Sequence, residues 1–497
     1  MRCFYSCLLL LFFSSSAHPQ KSTYLFVWSG DDTQKSNDFL AVLDADPASP
    51  RYGEAVASVA APGSPGTPHH TELEMPPGGF VLANAFESGR SMLFDLRQPA
   101  NPRFVTSFGD LDGYMHPHTY VRLPNGHILA TFQYHGGHSP KADAGGLVEF
   151  TERGQLIRSN NAIDPAAKGE LIRPYSLVVV PELGRVVSTN TAMHYKSEGE
   201  TRTVQVWRIS DLKLLQTLAL PPGPRGAEQQ NPGEPRVLAD GKTVLVHTFS
   251  CGLYELNGID AEKPVIKHRY TFEGDICAVP LRIGHYWVQT LFSVHALAAY
   301  DISDLAHIRE VSRVTFDEKQ NPHWIAADPE GHRIVLNSGE YGDHRLFILN
   351  FDTKTGTLTL DERFRDPGSD RPGVTMDGKT WPHGFHGDAY AHGVVFSRGD
   401  VTSAVEQPAL LRQQASDKPH TVTLTWKPSS SHVAGYNVYR SMTTGGNYVR
   451  INTSIVRELT YSDNTVVSGV TYNYVTRAVD DQGHESVFSN ETSVFIP

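Results

Sequence analysis

The sequence predicts an all-β protein in which a β-propeller with seven blades is followed by an immunoglobulin-like β-sandwich. From residue 24 onward helical periodicity is scarce, and short β-rich runs such as FVLANAF (80–86) and TVLVHTF (243–249) alternate with segments rich in Gly, Pro, Asp and Asn. A common entry phrase returns at intervals of 41 to 58 residues, and roughly the last 80 residues contain seven shorter strand-like runs. The first pattern is typical of propeller blades and the second of an immunoglobulin-like sandwich.

The N-terminal residues 1–17, MRCFYSCLLLLFFSSSA, have the features of a secretory signal peptide. Arg2 supplies a positive start, residues 8–13 are apolar, and Ala17 ends a run of small residues suited to cleavage. We therefore expect the mature protein to be secreted or periplasmic. No later segment has the roughly 18 uninterrupted apolar residues of a membrane-spanning helix, so no transmembrane segment is expected.

Two cysteines, Cys251 and Cys277, remain after removal of such a signal peptide. Export makes a disulfide between them chemically possible, because oxidising compartments allow such bonds to persist. Two buried free thiols are an equally good interpretation of the sequence, which does not show whether the two side chains meet.

The entry phrase of the propeller leads into a turn of the type PxxG or ADG and then into a strand. When the copies are aligned on this turn, their entry residues share one phase: His70, His118, Ser176, Glu234, Asp275 and His323. Each interval can hold about four strands with their loops, as a propeller blade requires. A last unit around residues 381–397 completes seven blades within 24–397. A series of β-sandwiches is the alternative, but it would not explain so regular a phrase.

The C-terminal part of the chain has a different pattern. Residues 398–417 lack strand alternation and are predicted to be a linker. After them, TVTLTWKP, GYNVYRS and TYNYVTRAVDDQGHES carry Trp426 and several tyrosines on alternating positions, as half-buried strands do. These motifs make residues 418–497 resemble the fibronectin type III family. The resemblance implies an accessory domain that docks the protein to a surface or to a protein partner.

Charge and histidine content bear on function in different ways. The chain has 43 Lys or Arg and 54 Asp or Glu residues, and its net charge of −11 argues against nucleic-acid binding through bulk positive charge. It also has 23 histidines. Histidine ligates metals and shuttles protons, so the position of these residues within the repeat decides what they indicate.

The innermost strands of the blades surround the axis of a propeller, so residues at one repeat phase converge there. His70, His118 and His323 share that phase with the acidic residues Glu234 and Asp275. Imidazoles with one or two carboxylates form a ligand set suited to Cu, Fe, Mn or Zn. We therefore predict a transition-metal site on the axis, with both acidic residues as candidate catalytic groups that assist proton transfer. The alternative is that these polar residues only bond loop backbone or channel water.

The sequence indicates an axial position less clearly for several further histidines. Neighbouring residues of a strand face opposite sides, so we expect only one of His69 and His70 to point inward. His116 lies two residues before His118 and could share its face, and His295, at a strand end, could reach the axis. One or two histidines of the Gly-rich segment WPHGFHGDAYAHG could cap the channel: His383, His386 and His392.

Several phrases follow a family order along residues 24–400. FLAVLDADPASPRYGEAV is followed by HH (69–70), PHTYVRLPNGHILATF, GEPRVL, HALAAYDISDLAHIREV and AHGVVFSRGD. This order resembles the selenium-binding protein and methanethiol oxidase family. The resemblance implies a propeller and a metal-assisted oxidation of small thiols, with copper as the metal. By motif position it implies metal ligands at His69, His70, His118, His295 and His392, and further site residues at Glu234 and Asp275.

The chain departs from the family pattern at its HH phrase, where GTPHHTELE lacks the preceding acidic pair and the following GWN. No cysteine lies near this phrase, so a thiol-carrying or selenium-carrying residue is not transferred. Two functions compete: an exported metal-dependent oxidase of a small thiol or related molecule, and a non-catalytic binding propeller tethered by its C-terminal domain. A lactonase-like hydrolase would need a Ca²⁺ site rich in Asp, Asn and Glu, and the histidines disfavour it.

Overall fold

The computed structural model describes residues 23–398, with the exception of 64, 138 and 194–197, together with 410–415 and 421–495. Within the last range it leaves out 430, 442–447, 453, 465 and 467–470. The described residues form β-strands and three short 3₁₀ turns, at Pro165–Ala167, Pro181–Leu183 and Phe292–Val294. Among them, no helix has the length and apolar character needed to cross a membrane. The predicted signal peptide, residues 1–17, lies outside the described residues.

Most of the described strands between residues 24 and 396 form seven antiparallel sheets with four principal strands each, which are the blades of a propeller. Of the three remaining short strands, one adds to the sheet of the last blade and two pair only with each other. In chain order these strands are β1 (Tyr24–Asp31), β2 (Phe39–Asp44), β3 (Ala55–Ala60), β4 (Pro68–Thr71), β5 (Phe80–Ala85), β6 (Arg90–Asp95), β7 (Arg103–Phe108), β8 (Tyr114–Arg122), β9 (Ile128–His135), β10 (Asp143–Phe150), β11 (Leu156–Asn161), β12 (Pro174–Val180), β13 (Arg185–Asn190), β14 (Thr203–Arg208), β15 (Lys213–Ala219), β16 (Pro232–Val237), β17 (Val244–Thr248), β18 (Gly252–Asn257), β19 (Val265–Thr271), β20 (Pro280–Ile283), β21 (Tyr286–Leu291), β22 (Ala296–Asp301), β23 (Arg309–Thr315), β24 (Trp324–Ala327), β25 (Arg333–Asn337), β26 (Arg345–Asp352), β27 (Thr357–Leu360), β28 (Val374–Thr375), β29 (Lys379–Thr380), β30 (His386–Gly387) and β31 (Ala389–Phe396).

Blade 1 joins the two ends of the propeller, because its strand order is β31-β1-β2-β3. Blades 2 to 7 are each built from consecutive strands, β4–β7, β8–β11, β12–β15, β16–β19, β20–β23 and β24–β27. The first strands contact one another in a closed ring, from β4 through β8, β12, β16, β20 and β24 to β31 and back to β4. These seven strands therefore surround the axis, and the prediction of seven blades is confirmed.

The ring is closed by hydrogen bonds between the two ends of the propeller chain. Val27 of β1 pairs with Val394 of β31, and beyond them Ser397 Oγ accepts from the backbone N–H of Tyr24 at 3.0 Å. The indole N–H of Trp324 in β24 also donates to the carbonyl oxygen of Val394 at 3.0 Å. Apolar side chains fill the spaces between blades, and all six tryptophans of the chain are fully buried.

The C-terminal strands form two antiparallel sheets, β32-β33-β36 and β35-β34-β37-β38. They are β32 (Leu410–Ala415), β33 (Val422–Trp426), β34 (Gly435–Ser441), β35 (Val449–Arg450), β36 (Thr460–Asp463), β37 (Thr471–Val479) and β38 (Thr492–Phe495). Seven strands in two sheets agree with the predicted immunoglobulin-like sandwich. Its core contains Trp426 and Tyr436, whose ring centroids are 5.5 Å apart. The sandwich begins earlier than predicted, because β32 lies within the segment 398–417 that was expected to be a linker.

A disulfide joins Cys251 and Cys277. Both residues are fully buried between blades 5 and 6, beside Leu253 and Trp287. The sequence left open whether these cysteines pair, since only the tertiary structure brings residues 26 positions apart into contact.

Candidate metal centre

In four blades the inner strand carries a β-bulge directly after a proline. In β4, for example, the pairing with the next strand jumps from Pro68 to Thr71. We call the two residues between the paired positions the bulge pair; the four pairs are His69 and His70, His118 and Thr119, Tyr175 and Ser176, and Gly233 and Glu234. A bulge suspends the strict alternation of a strand, so both members of a pair can approach the axis.

The histidines of the first bulge pair are both buried, at 5% and 2% exposure for His69 and His70. Their rings stack, with centroids 4.3 Å apart and planes 9° from parallel. The expectation that only one of them points inward was therefore wrong, because the bulge between Pro68 and Thr71 places both side chains on the same side.

A polar side chain of the second strand holds each of these bulges. Asn84 Oδ1 accepts a hydrogen bond from the backbone N–H of His70 at 2.6 Å. In the next three blades the equivalent acceptors are Thr131, Thr189 and His247, which accept from the backbone N–H groups of Thr119, Ser176 and Glu234. Each acceptor pairs a backbone N–H that the bulge removes from the strand ladder, and so stabilises the bulge.

Imidazoles from blades 7 and 1 extend the cluster. His323 follows a proline directly before β24, and His392 lies where the pairing of β31 with β1 shifts its register. Nε2 of His69 lies 2.9 Å from Nε2 of His118, and Nε2 of His323 lies 3.1 Å from Nε2 of His392. The rings of His69 and His392 are 4.2 Å apart and connect the two pairs.

The fifth imidazole, His70, lies against the other members. Its ring centroid is 4.3 Å from that of His118 and 4.6 Å from that of Trp324. Its Nε2 is buried and has no hydrogen-bond partner. One ring nitrogen from each of His69, His70 and His118 lies within 4.8 Å of the other two, which is close enough for a single metal ion to bind all three.

Two carboxylates flank the imidazoles. Glu234 accepts hydrogen bonds on Oε2 from Ser176 Oγ at 2.5 Å and from Arg236 Nη1 at 3.2 Å, whereas its Oε1 is buried, unpaired and 4.0 Å from Nδ1 of His70. Glu340 Oε2 lies 3.0 Å from Nδ1 of His392. Burial opposes ionisation of Glu340, but its interaction with His392 lowers the pKa of this carboxyl to about 2.

The environment lowers the pKa of the clustered imidazoles. Burial, with repulsion from neighbouring imidazoles, puts the pKa of His69 and His70 well below 6.5 and that of His118 and His323 at about 3. These rings are therefore neutral near pH 7, the form in which imidazole binds metals. The close nitrogen pairs, the unpaired Nε2 of His70 and the unpaired oxygen of Glu234 all fit a bound transition-metal ion.

Aromatic side chains lie between His323 and solvent-exposed surface. The ring centroid of Tyr341 is 5.5 Å from that of His323, and the ring of Phe292 lies 5.5 Å from Tyr341. Tyr341 is 42% exposed and Phe292 is half-buried. An apolar surface that reaches solvent thus lies beside the buried cluster.

Two residues predicted for the site lie apart from the five imidazoles. Asp275 is exposed, and its backbone N–H donates to Ser293 Oγ at 2.9 Å. Its predicted axial position was wrong because the inner strand of blade 6 begins only at Pro280, so Asp275 precedes that strand instead of lying within it. His295 is half-buried at a left-handed turn, and its Nδ1 bonds the carbonyl oxygen of Gln320 at 3.0 Å.

Sequence reasoning missed two groups near the site, Glu340 and His247. A Cβ on Gly233 would clash with the imidazole of His247, which shows that this ring fills space at the first position of its bulge pair. Burial lowers the pKa of His247 to about 3, and its Nε2 has no hydrogen-bond partner. Its strand TVLVHTF places it in the phase of Asn84, a signal that alignment of the second strands would have revealed.

The fold and the cluster together define a seven-bladed propeller with a buried imidazole centre on its axis, joined to a fibronectin type III domain. No family model matches the chain. It is 26% identical over 377 residues to a methanethiol oxidase of Hyphomicrobium sp, and this match covers 69% of the chain and 80% of the relative. The propeller is thus related to the methanethiol oxidase and selenium-binding proteins.

A solved structure and a second relative match different lengths of the chain. A hypothetical selenium-binding protein from Sulfolobus tokodaii superposes with a TM-score of 0.61 at 16% identity, over 77% of this chain and 95% of that protein, and shows the fold alone. A segment of 74 residues is 42% identical to an amylopullulanase of Thermoanaerobacter thermohydrosulfuricus. That match covers 15% of this chain and 5% of the relative, so it carries no activity to this protein.

Proposed function

We propose that this protein is an exported propeller that binds copper at its axial imidazoles and oxidises a small thiol. The observation that carries the proposal is the cluster of five buried imidazoles, with two Nε2–Nε2 distances of 2.9 and 3.1 Å. Copper(II) has the highest affinity of the divalent first-row metals for nitrogen ligands. The relationship to methanethiol oxidase supports a thiol as the substrate class.

The metal ligands in this proposal are His69, His70 and His118, with His323 and His392 beside them. Bound copper would supply a position for the thiol sulfur and a route for two electrons from the thiol to dioxygen. With water cleaving the carbon–sulfur bond, a thiol RCH₂SH and O₂ would give an aldehyde, hydrogen sulfide and hydrogen peroxide. Glu234 is the proposed base, because its unpaired Oε1 faces the cluster and can accept the proton of the thiol. Asp275 has no part in this mechanism because it is exposed and apart from the cluster.

The aromatic surface beside His323 suits a small apolar thiol. The rings of Phe292 and Tyr341 reach solvent next to the cluster, and sulfur makes favourable contacts with aromatic ring edges. The signal-peptide pattern of residues 1–17 and the disulfide between Cys251 and Cys277 support export, because such bonds persist in oxidising compartments.

Metal analysis tests this proposal. We expect purified protein to bind copper stoichiometrically, and the His70→Ala and His118→Ala variants to bind it at least about tenfold more weakly, since each loses a nitrogen ligand. His307→Ala is the control, because that side chain is 83% exposed. A wild-type protein that binds no transition metal after reconstitution would contradict the proposal.

Substrate turnover is the second part of the test. Copper-loaded protein is mixed with a panel of small thiols, and hydrogen peroxide and sulfide are measured. Turnover that disappears in His70→Ala supports the oxidase. Metal binding without turnover of any thiol would instead indicate a non-catalytic binding propeller tethered by its fibronectin type III domain.

A further inference from the structure

Glu340 lies in the turn between β25 and β26, directly over the pair formed by His323 and His392. Its neighbour Gly339 has a φ of 63°, and a Cβ at that position would lie 3.4 Å from Cδ2 of His323 and 3.4 Å from Nδ1 of His392. The turn therefore lies in contact with both imidazoles. The left-handed backbone at residue 339 favours glycine and places the next side chain beside the site.

Three hydrogen bonds fix the turn against His392, two of them to that residue and one within the turn. Asn337 Nδ2 donates to the carbonyl oxygen of His392 at 2.9 Å, and Asn337 Oδ1 accepts from the backbone N–H of Gly339 at 2.8 Å. The third contact is the 3.0 Å hydrogen bond between Nδ1 of His392 and Oε2 of Glu340. Since Asn337 fixes the backbones, the carboxylate meets the ring in one defined orientation.

The two nitrogens of His392 face different partners. A carboxylate accepts hydrogen bonds, so its contact with Nδ1 places the ring hydrogen on that nitrogen. Nε2 then carries the lone pair, and it lies 3.1 Å from Nε2 of His323. The side chain of His392 is fully buried, whereas that of Glu340 is 31% exposed. A partly exposed carboxylate therefore contacts a fully buried ring.

Two other clustered histidines have no carboxylate within hydrogen-bonding distance of Nδ1. Nδ1 of His118 lies 3.3 Å from Thr119 Oγ1, and Nδ1 of His70 is 4.0 Å from the nearest oxygen of Glu234. Among the described residues, Glu340 is the carboxylate within hydrogen-bonding distance of a clustered imidazole. This contact sets His392 apart from its neighbours.

We propose that Glu340 is a positioning residue of the metal centre, which accepts the Nδ1–H of His392 and thereby presents Nε2 to the metal. The inference rests on the proposed function and extends it to a residue outside the ligand set. Partners of this kind typically change metal affinity by 10–100-fold when they are removed. The role needs a hydrogen-bond acceptor at this position and does not need a negative charge.

Copper(II) binding by the full chain tests the role, with chelator competition for affinity and electron paramagnetic resonance for the ligand field. We expect Glu340→Ala to bind about 10–100-fold more weakly and to show altered nitrogen hyperfine structure. Glu340→Gln keeps an acceptor oxygen, so we expect a loss of less than about tenfold and a spectrum like that of the wild type. Glu318→Ala, at an exposed carboxylate of the neighbouring loop, is the charge-matched control.

Each outcome decides the matter. Wild-type affinity and spectrum in Glu340→Ala would overturn the positioning role while leaving the proposed function intact. Equal losses in Glu340→Gln and Glu340→Ala would also overturn it, because charge and not the hydrogen bond would then be responsible. A wild-type protein without bound copper would remove both the proposed function and this inference.

Discussion

At the residue scale, the site depends on where the chain places small residues and unpaired polar atoms. Gly233 leaves room for the imidazole of His247, and a side-chain carbon there would collide with that ring. The same imidazole accepts a hydrogen bond on Nδ1 from the backbone N–H of Glu234 at 3.0 Å. A single glycine thus allows one buried histidine to hold the residue that we propose as the base.

Glu228 is a second residue whose surroundings determine its ionisation. Burial opposes its charge, but hydrogen bonds from the backbone N–H of Arg225 at 2.7 Å, from Thr271 Oγ1 at 3.0 Å and from the N–H of Ala227 at 3.2 Å lower its pKa to about 2. The carboxylate closes the loop that leads from blade 4 into blade 5. Its side chain is fully buried, although the three residues before it, 225–227, are exposed.

We predict that Glu228→Gln destabilises the protein by about 1–2 kcal/mol at neutral pH, a value reduced from the full shift because the loop borders solvent. The pKa is lower in the folded state than the ordinary 4.5, so the ionised side chain contributes stability above pH 4.5. That contribution disappears as the pH falls toward 2. Urea unfolding of both proteins from pH 7 to pH 3 measures the difference.

We expect the difference in free energy of unfolding between wild type and variant to become smaller as the pH falls. Glu262→Gln, at an exposed carboxylate of a nearby loop, should show no such difference. A difference that stays constant with pH would mean that the charge of Glu228 does not stabilise the loop.

At the element scale, the recurring device is a proline followed by a bulge pair in the inner strand. The bulge turns two consecutive side chains toward the axis, and a polar residue of the second strand pairs the released N–H. In blade 2 this residue is Asn84, which is 1% exposed and also donates from Nδ2 to the carbonyl oxygen of Pro117 at 2.7 Å. Asn84 therefore connects the strands that carry His70 and His118.

We predict that Asn84→Ala destabilises the protein by about 2–4 kcal/mol and weakens copper binding. The substitution leaves the N–H of His70 and the carbonyl oxygen of Pro117 buried without partners, and each unpaired group costs about 1–3 kcal/mol. It also frees the bulge that orients His70. Chemical denaturation measures the first effect and copper titration the second.

Asn190→Ala is the matched control, because that buried asparagine of β13 bonds Thr203 and lies outside the bulge contacts. It should lose a similar amount of stability while it keeps wild-type copper affinity. If Asn84→Ala bound copper as tightly as the wild type, the second-strand residue would not be what orients the imidazoles.

At the scale of the whole molecule, the closed ring of inner strands brings together residues that are far apart in the chain. His69 lies in β4 and His392 in β31, yet their rings are 4.2 Å apart. Closure of blade 1 by the last propeller strand creates this contact. The proposed metal centre should therefore form only in a fully folded propeller, and metal binding should stabilise the propeller as a unit.

We predict two unfolding transitions in scanning calorimetry of the full chain. Copper should raise the midpoint temperature of only one of them. The core of the fibronectin type III domain consists of residues between 422 and 494, including Trp426 and Tyr474, so it can unfold by itself. Copper at 100 times its Kd should increase the free energy of unfolding of the propeller, and of the propeller alone, by about 2.7 kcal/mol. His70→Ala is the control: with copper binding at least about tenfold weaker, the same copper concentration should add no more than about 1.4 kcal/mol to the free energy of unfolding of its propeller.

A single unfolding transition whose midpoint temperature rises with copper would contradict this expectation. It would mean that the two parts unfold cooperatively. A shift confined to the transition of the fibronectin type III domain would place the metal outside the imidazole cluster.

The entry phrase of the repeat predicted most residues of the imidazole cluster, but it did not predict how they are arranged. It identified His70, His118 and His323, because a propeller brings equivalent residues together. It failed at Asp275, since blade 6 has no proline-led bulge to anchor the alignment. It also missed Glu340, because a residue in a turn has no repeat phase and is recognised only by what it touches.

Strand alternation, turn residues and the repeat interval are local properties, and they were enough to predict an all-β chain with seven blades and a C-terminal sandwich. They also predicted histidines at the axis. Only the tertiary structure decided that both His69 and His70 enter the cluster, that Cys251 and Cys277 are bonded, and that Glu340 meets His392. The physical reason is that bulges, ring closure and contacts between distant turns depend on how strands pair, which no local pattern specifies.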